Sequence, residues 1–316
     1  MNLSTVEKIA DAVLYEGYLL YPYRRSAVKN QQRFNFGVLY PREYCEAQLG
    51  SEAWEMRTEC LVAGSALTTI EVKVRFLQMA KRQQWQEGQE RDVYAAACML
   101  ESIAAESFHQ RFTFEGADDG KDAEGRSSET LEGELELAAS RLGENLYKVM
   151  LSVRNLAQSV GAKLEDAGEA TRDRMLLRSL VSVHSILHAA GGEFISLLDP
   201  PEQFKAAAAA CQNAGTWPVL AGGEGRRDLV LSSPIILYDY PQIAPESAGD
   251  LFDGTEIDEI LALRILTMTD AEKLEVRNGD DRARRILERT EMLPPEHFQK
   301  LHGALRGLRG SAEESR

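Results

Sequence analysis

Apolar and polar residues alternate with a period of two at four places along the middle of this chain. Ile70, Val72, Val74 and Phe76 oppose Glu71, Lys73 and Arg75. Phe108, Gln110, Phe112 and Phe114 make a second face, and Leu131, Leu135 and Leu137 oppose Glu132, Glu134 and Glu136. After a Gly143-Glu144-Asn145 turn, Tyr147, Val149, Leu151 and Val153 oppose Lys148, Ser152 and Arg154. Successive side chains point to opposite faces of a strand, so each segment has one face for a core and one for water. Half-buried strands between turn signals belong to antiparallel sheets, because strands of a parallel sheet read as continuous apolar runs. Each apolar face needs a second layer. The expectation is therefore an α+β fold with an antiparallel β-sandwich-like core from about Phe34 to Leu237.

Around that core the pattern changes. Ser4 and Glu7 have capping-box spacing, and Leu3, Val6, Ile9, Ala10, Val13 and Leu14 form one stripe, which predicts an N-terminal helix. Phe34 to Tyr40 reads as a strand ended by Pro41, and Asp92 to Ala105 as a helix between strands. Gly116 to Thr130 is polar and Gly-rich, a flexible hairpin loop. Gly191-Gly192 reads as a turn between two strands, and Glu202 to Asn213 as an Ala-rich helix closed near Gly215. Trp217 to Leu220 and Leu229 to Leu237 form a further strand pair. Beyond Asp253, Thr255/Asp258 and Thr269/Glu272 have capping-box spacing and Pro294-Pro295 opens a last helix, predicting a helical C-terminal region. The expected organisation is a helix plus β core over 1–240, an acidic loop and helical region packed on it over 241–310, and a frayed tail over 311–316.

Composition narrows the class. With 316 residues and a net charge of −14, the protein as a whole is a poor ligand for nucleic acid or an anionic membrane. The four cysteines, Cys45, Cys60, Cys98 and Cys211, show neither CxxC pairs nor regular spacing, which fits free thiols in a reducing compartment. MNLSTVEKIADAV has no basic region followed by an apolar core, and no apolar run approaches the roughly 20 residues that span a bilayer. The expectation is a soluble cytoplasmic protein.

The stretch most marked for function lies between Asp228 and Arg264. It carries seven carboxylates, Asp239, Glu246, Asp250, Asp253, Glu256, Asp258 and Glu259, and no Lys or Arg. Asp239, Glu246, Asp250 and Asp253 are candidate ligands for Mg²⁺ or Mn²⁺, which take carboxylate oxygens. Capping is the stronger reading for Asp253, Glu256 and Asp258, since a helix start favours acids. A basic partner surface is the third reading. Gly17 to Arg42 is its complement: free of acids, with Arg24, Arg25, Lys29, Arg33 and Arg42 among Tyr18, Tyr21, Tyr23, Phe34, Phe36 and Tyr40. Aromatics and arginines at this density build cores and interfaces, and no RNP-type motif accompanies them. The two stretches are expected to lie against each other, with Arg24 or Arg25 near Asp250 or Asp253.

Other constellations are weaker. His184 and His188 have the i, i+4 spacing of a metal-binding helix, but on a strand that spacing sets the rings roughly 13 Å apart. His109, His297 and His302 have no recognisable catalytic neighbour. GGEGRRD, Gly222 to Asp228, lacks the Lys-Ser/Thr of a phosphate loop and reads as a hairpin turn. No GxSxG, HExxH or GxGxxG occurs, and no catalytic residue is assigned.

Three segments, ADAVLYEGYLLYPYRRSAVKNQQRFNFGVLYP, GGEFISLLDPPE and SSPIILYDYPQIAPESAGDLFDGTEIDEILALRILTMTD, together resemble a family of uncharacterised bacterial proteins encoded beside nickel–iron hydrogenase genes. The resemblance implies a non-catalytic accessory role in assembly, maturation or regulation, without a cofactor and with a hydrogenase subunit or maturation factor as partner. The binding surface expected is Tyr21, Tyr23, Arg24, Arg25, Tyr240, Asp250 and Asp253. The alternative is a divalent-metal-dependent enzyme built on the acidic 239–258 segment. Homo-oligomerisation is compatible with either.

Overall fold

One strand organises the whole core. In the computed structural model, which describes residues 4–16, 36–82, 85–117, 127–159, 169–242, 268–277, 284, 287, 288, 291 and 292, β1 runs from Glu55 to Arg82 over 28 residues. Two compact units divide the chain, one of Met1–Tyr18 and Arg33–Pro241, the other of Leu19–Gln32 and Gln242–Arg316.

The first unit holds one nine-stranded sheet. Its strands are β1, β2 (Trp85–Met99), β3 (Phe108–Phe114), β4 (Ser127–Ser128), β5 (Leu131–Arg141), β6 (Leu146–Asn155), β7 (Leu180–Ile195), β8 (Trp217–Leu220) and β9 (Leu229–Ser233). The order is β3-β5-β6-β1-β7-β9-β8, every pairing antiparallel. Along one edge β1 pairs first with β6, over Glu55–Ala63, then with β2, over Thr69–Arg82. Along its other edge β7 follows it from Leu61 to Gln78, and β4 takes Ala80 and Lys81.

The sandwich expectation is overturned here. β1 belongs to both halves of the core, so the two layers are one sheet curled over its own face. The Phe76 ring on β1 lies 5.8 Å from that of Phe112 and 5.6 Å from that of Phe114, both on β3. In a flat sheet those strands, separated by β5 and β6, would sit roughly 14 Å apart. The enclosed core contains Met56, Val62, Ile70, Val72, Val74 and Phe76 of β1 with Leu135, Leu137, Val149, Leu151 and Leu187. Alternation within these segments was read with the right faces: β3 alternates half-buried and exposed, and Leu131, Leu135 and Leu137 are buried.

The opposite face of β1 is covered by helices rather than water. α1 (Ser4–Glu16) lies on β7, β1 and β9 and buries Val6, Ile9, Ala10 and Leu14. Further along, α5 (Lys205–Ala209), preceded by a 3₁₀ turn at Glu202–Phe204, packs with Leu61 and Ile195. The other helices of this unit are α2 (Arg42–Ala47), α3 (Leu100–Ala105) and α4 (Glu169–Leu176).

Other expectations are corrected by pairing. The helix predicted over Asp92–Ala105 begins only at Leu100, because Asp92 to Met99 continues β2 along β1; strand pairing overrides the helix propensity of its alanines. Around Phe36 to Tyr40 only Leu39 makes bridges, to Ala53 and Leu180. Gly191-Gly192 is no turn but the middle of β7, opposite a register shift of β1 between Gly64 and Thr69. A Cβ on Gly192 would stand 2.6 Å from Thr68 Cγ2, and Gly191 has φ +78, so this bulge requires glycine. The Ala-rich helix stops at Ala209 and β9 stops at Ser233 before Pro234.

A helical C-terminal region is also overturned. Among the described residues of the second unit, α6 (Asp270–Arg277) is a helix of eight residues beginning directly after Thr269, and Arg284, Leu287, Glu288 and Glu291 are helical singly or in pairs. Lys273 and Arg277 of α6 pair with Glu291 at 3.1 and 2.7 Å.

Candidate functional site

β8 is the end of the sheet, and edge strands expose backbone groups that template unwanted pairing. The Ala221 N–H turns inward to the Leu229 carbonyl, so Leu220 and Pro218 present their backbone outward. Pro218 has no N–H to offer. The Leu220 N–H is taken by Asp239 Oδ1 at 2.8 Å, and the Leu220 carbonyl accepts the Tyr240 N–H at 2.7 Å. The segment Pro234–Pro241 therefore closes the edge without being a strand.

The same segment is pinned elsewhere. The Ser196 hydroxyl donates to Asp239 Oδ2 at 2.5 Å, and Ser196 Oγ also accepts the N–H groups of Leu198 and Asp199. Ser233 Oγ donates to the Ile235 carbonyl at 2.6 Å. Leu237 is buried and Tyr240, with φ +56, packs against the main core. Between these fixed points Ile236 and Tyr238 point into solvent, 70% and 87% exposed. Trp217 on β8 and Leu198 beside Ser196 are also exposed. A backbone tied at both ends thus carries large apolar side chains outward, which is how binding surfaces are presented.

Two residues expected at a site have other employment. Asp239, a candidate metal ligand, spends both carboxylate oxygens on the edge closure. Tyr240, an expected partner anchor, is half-buried and directed at the core. Tyr21, Tyr23, Arg24, Arg25, Glu246, Asp250 and Asp253 lie outside the described residues, and so does the pairing expected between the basic and acidic stretches. Among the described residues no three His, Cys, Asp or Glu side chains group as a metal site.

His184 and His188 both sit on β7. His184 is fully buried with Nδ1 2.9 Å from the Ser182 carbonyl; among the described residues its Nε2 has no hydrogen-bond partner. His188 lies between Glu71, 3.2 Å from Nδ1, and Asp228, 3.6 Å from Nε2. Gly222 to Asp228 is the β8–β9 turn, and Arg226 folds back onto Asp228 in two 2.8 Å bonds.

Sequence reading missed a charged network under α1, having assigned Lys73 and Arg75 to a solvated face. Lys73 Nζ is 3.0 Å from both Glu7 and Asp92, and its ammonium stands 5.1 Å from the Tyr94 ring centre. Arg75 reaches Asp11 at 2.5 Å, Asp92 at 3.0 Å and Glu90 at 3.4 Å. Both cations are almost fully buried, 8% and 6% exposed. Burial would lower the Lys73 pKa, but bonds to Tyr94, Glu7 and Asp92 outweigh it and raise it. Period-two alternation marks one face as apolar; it does not say what covers the other. A similar arrangement holds Glu59, buried on β1 between Arg57, Lys148 at 3.1 Å and the Gln212 N–H at 2.8 Å.

Among the described residues no helix is long and apolar enough to cross a membrane. No protein-family model matches the chain, and no curated protein sequence matches it.

Proposed function

We propose that this is a non-catalytic cytoplasmic accessory protein that binds a protein partner through the β8 edge, with Ile236 and Tyr238 as anchors and Trp217 and Leu198 beside them. One observation carries the reading: two large apolar side chains are held out by a segment whose backbone and Asp239 carboxylate are fixed. Preorganised anchors of this kind lose little entropy on binding. The segment belongs to one of the three stretches that resemble the hydrogenase-associated family, so a hydrogenase subunit or maturation factor is the first candidate partner.

Affinity purification from a host expressing that hydrogenase operon tests this. The expected result is recovery of a hydrogenase component with the wild-type chain and its loss with Ile236→Ser/Tyr238→Ser, a variant whose melting temperature stays near wild type because neither side chain is buried. Recovery of this chain alone, with unchanged hydrogenase activity in a deletion strain, overturns the proposal.

A further inference from the structure

Resting on the reading of Ile236 and Tyr238 as partner anchors, we propose that what they bind is an extended peptide segment of the partner, added as a strand along Ile236–Tyr238. The segment carries apolar side chains at alternate positions, with Lys or Arg beside them. Ile236, Leu237 and Tyr238 alternate exposed, buried and exposed, the period of an extended chain, and lie in neither helix nor turn. Ile236 and Tyr238 therefore share one face, while Leu237 is buried on the other. A peptide strand laid alongside meets that face with every second side chain, about 5 Å from its neighbour.

Main-chain capacity is what points to a strand. Among the described residues, no hydrogen bond reaches the N–H or carbonyl groups of Ile236, Leu237 or Tyr238. Alternate residues of an extended chain aim these groups at opposite edges, so this stretch keeps unpaired groups on the edge away from β8. Its backbone is held in place by Ser233 at Ile235 on one side and by the Asp239 and Tyr240 bonds to Leu220 on the other. An unpaired edge of this kind is the template for strand addition, in which main-chain bonds give affinity and alternate side chains give specificity. Pro234 and Pro241, which have no N–H, bound the template. So short an edge accepts one peptide strand and resists open-ended pairing between copies of the chain.

Charge narrows the peptide further. Asp239 and Asp199 converge on Ser196, whose hydroxyl donates to the Asp239 carboxylate and accepts the Asp199 N–H. Among the described residues neither carboxylate has a cationic partner, and Lys205 is taken by Glu202. A Lys or Arg close to the apolar positions pairs with this acidic end, and the exposed Tyr238 ring offers its face to the same cation. Exposed pairs add little affinity, so charge sets the direction in which the peptide lies, while its backbone and apolar side chains hold it.

A phage-displayed library of random linear peptides, panned on the full chain, supplies the probe. Selected peptides are expected to alternate apolar residues, to carry Lys or Arg, and to bind Ile236→Ser/Tyr238→Ser more than about tenfold more weakly than wild type. The tightest is then remade with single N-methyl groups along its backbone. Methylation at alternate residues is expected to weaken binding about tenfold, the loss of one main-chain bond, and at the residues between them to change it little. Hydrogen exchange of the Ile236–Tyr238 amides is expected to slow in the complex. Binding that needs Ile236 and Tyr238 but shows neither the alternation under N-methylation nor slowed exchange overturns strand addition and leaves the partner surface standing. A library that yields no peptide sensitive to Ile236→Ser/Tyr238→Ser overturns it as well, while the hydrogenase pull-down decides the partner reading separately.

Discussion

Asp239 and Leu220 meet across the sheet edge, the aspartate Oδ1 accepting the Leu220 backbone N–H at 2.8 Å. The bond substitutes for the ladder contact that a tenth strand would make. Because Pro218 has no N–H, this one carboxylate satisfies the outward donor that β8 has left at Leu220, and the edge is closed with a single side chain.

Removing that acceptor should therefore be costly. Asp239→Ala leaves the Leu220 N–H and the Ser196 hydroxyl without this partner, and a loss of about 1–3 kcal/mol is expected from urea unfolding. Asp239→Asn retains a carbonyl oxygen for the N–H and should lose less. Equal losses in the two variants would mean that the N–H bond is not what matters.

Arg75 and Glu7 belong to one network but should respond unequally. Arg75→Met takes from Asp11 its cation and leaves Asp92 with Lys73 alone beneath α1, both carboxylates about a third exposed, and a loss of about 1–3 kcal/mol is expected. Glu7→Gln removes a carboxylate that is more than a third exposed, and its loss should stay below about 1 kcal/mol. Chemical denaturation of the two variants at one pH decides it, and similar losses would refute the burial argument.

These two networks mark how far the sequence could be read. Alternation assigned the core faces of β3, β5 and β6 because their other faces are polar. It failed at Lys73 and Arg75, whose burial comes from α1, sixty residues away in sequence. It also missed that β1 begins at Glu55, since Glu59 and Thr58 break the pattern as buried polar groups with partners brought by β6, β9 and the Gln212–Asn213 segment. At the candidate site, the Asp228–Arg264 stretch was marked by charge, yet the observed features are the exposed Ile236 and Tyr238. Which side of that segment faces water depends on where Asp239 and Tyr240 attach to β8, a tertiary fact that no local pattern encodes.

The glycine pair misread as a turn yields a sharper test. Gly192→Ala places a methyl 2.6 Å from Thr68 Cγ2 and 3.1 Å from the Ala63 carbonyl oxygen. Overpacking of this kind costs about 1–3 kcal/mol. Thr68→Ala removes the nearer obstacle, together with the bond from Thr68 Oγ1 to the Gly191 carbonyl. The double variant should consequently lose less than the two single losses added, a coupling that a double-mutant cycle measures directly. Strict additivity would place the strain elsewhere.

His184 supplies the pH dependence. Burial lowers its pKa from the ordinary 6.5 to about 4, opposed by the Ser182 carbonyl and reinforced by Arg75. The unfolded chain binds this proton more readily than the folded one, so the contribution is complete above pH 6.5 and is lost as pH falls toward 4. At about 1.4 kcal/mol per unit, the drop over that window is about 3 kcal/mol. Asp92 and Glu59, held below the ordinary carboxylate range despite burial by bonds to Lys73 and to the Gln212 N–H, also lose stability on acidification, but at lower pH. Replacing the ring with His184→Leu should therefore flatten the stability profile between pH 6.5 and 4 while leaving the steeper acid limb in place. Urea midpoints for the two proteins across that range measure the difference, and parallel profiles would show that His184 does not carry the slope.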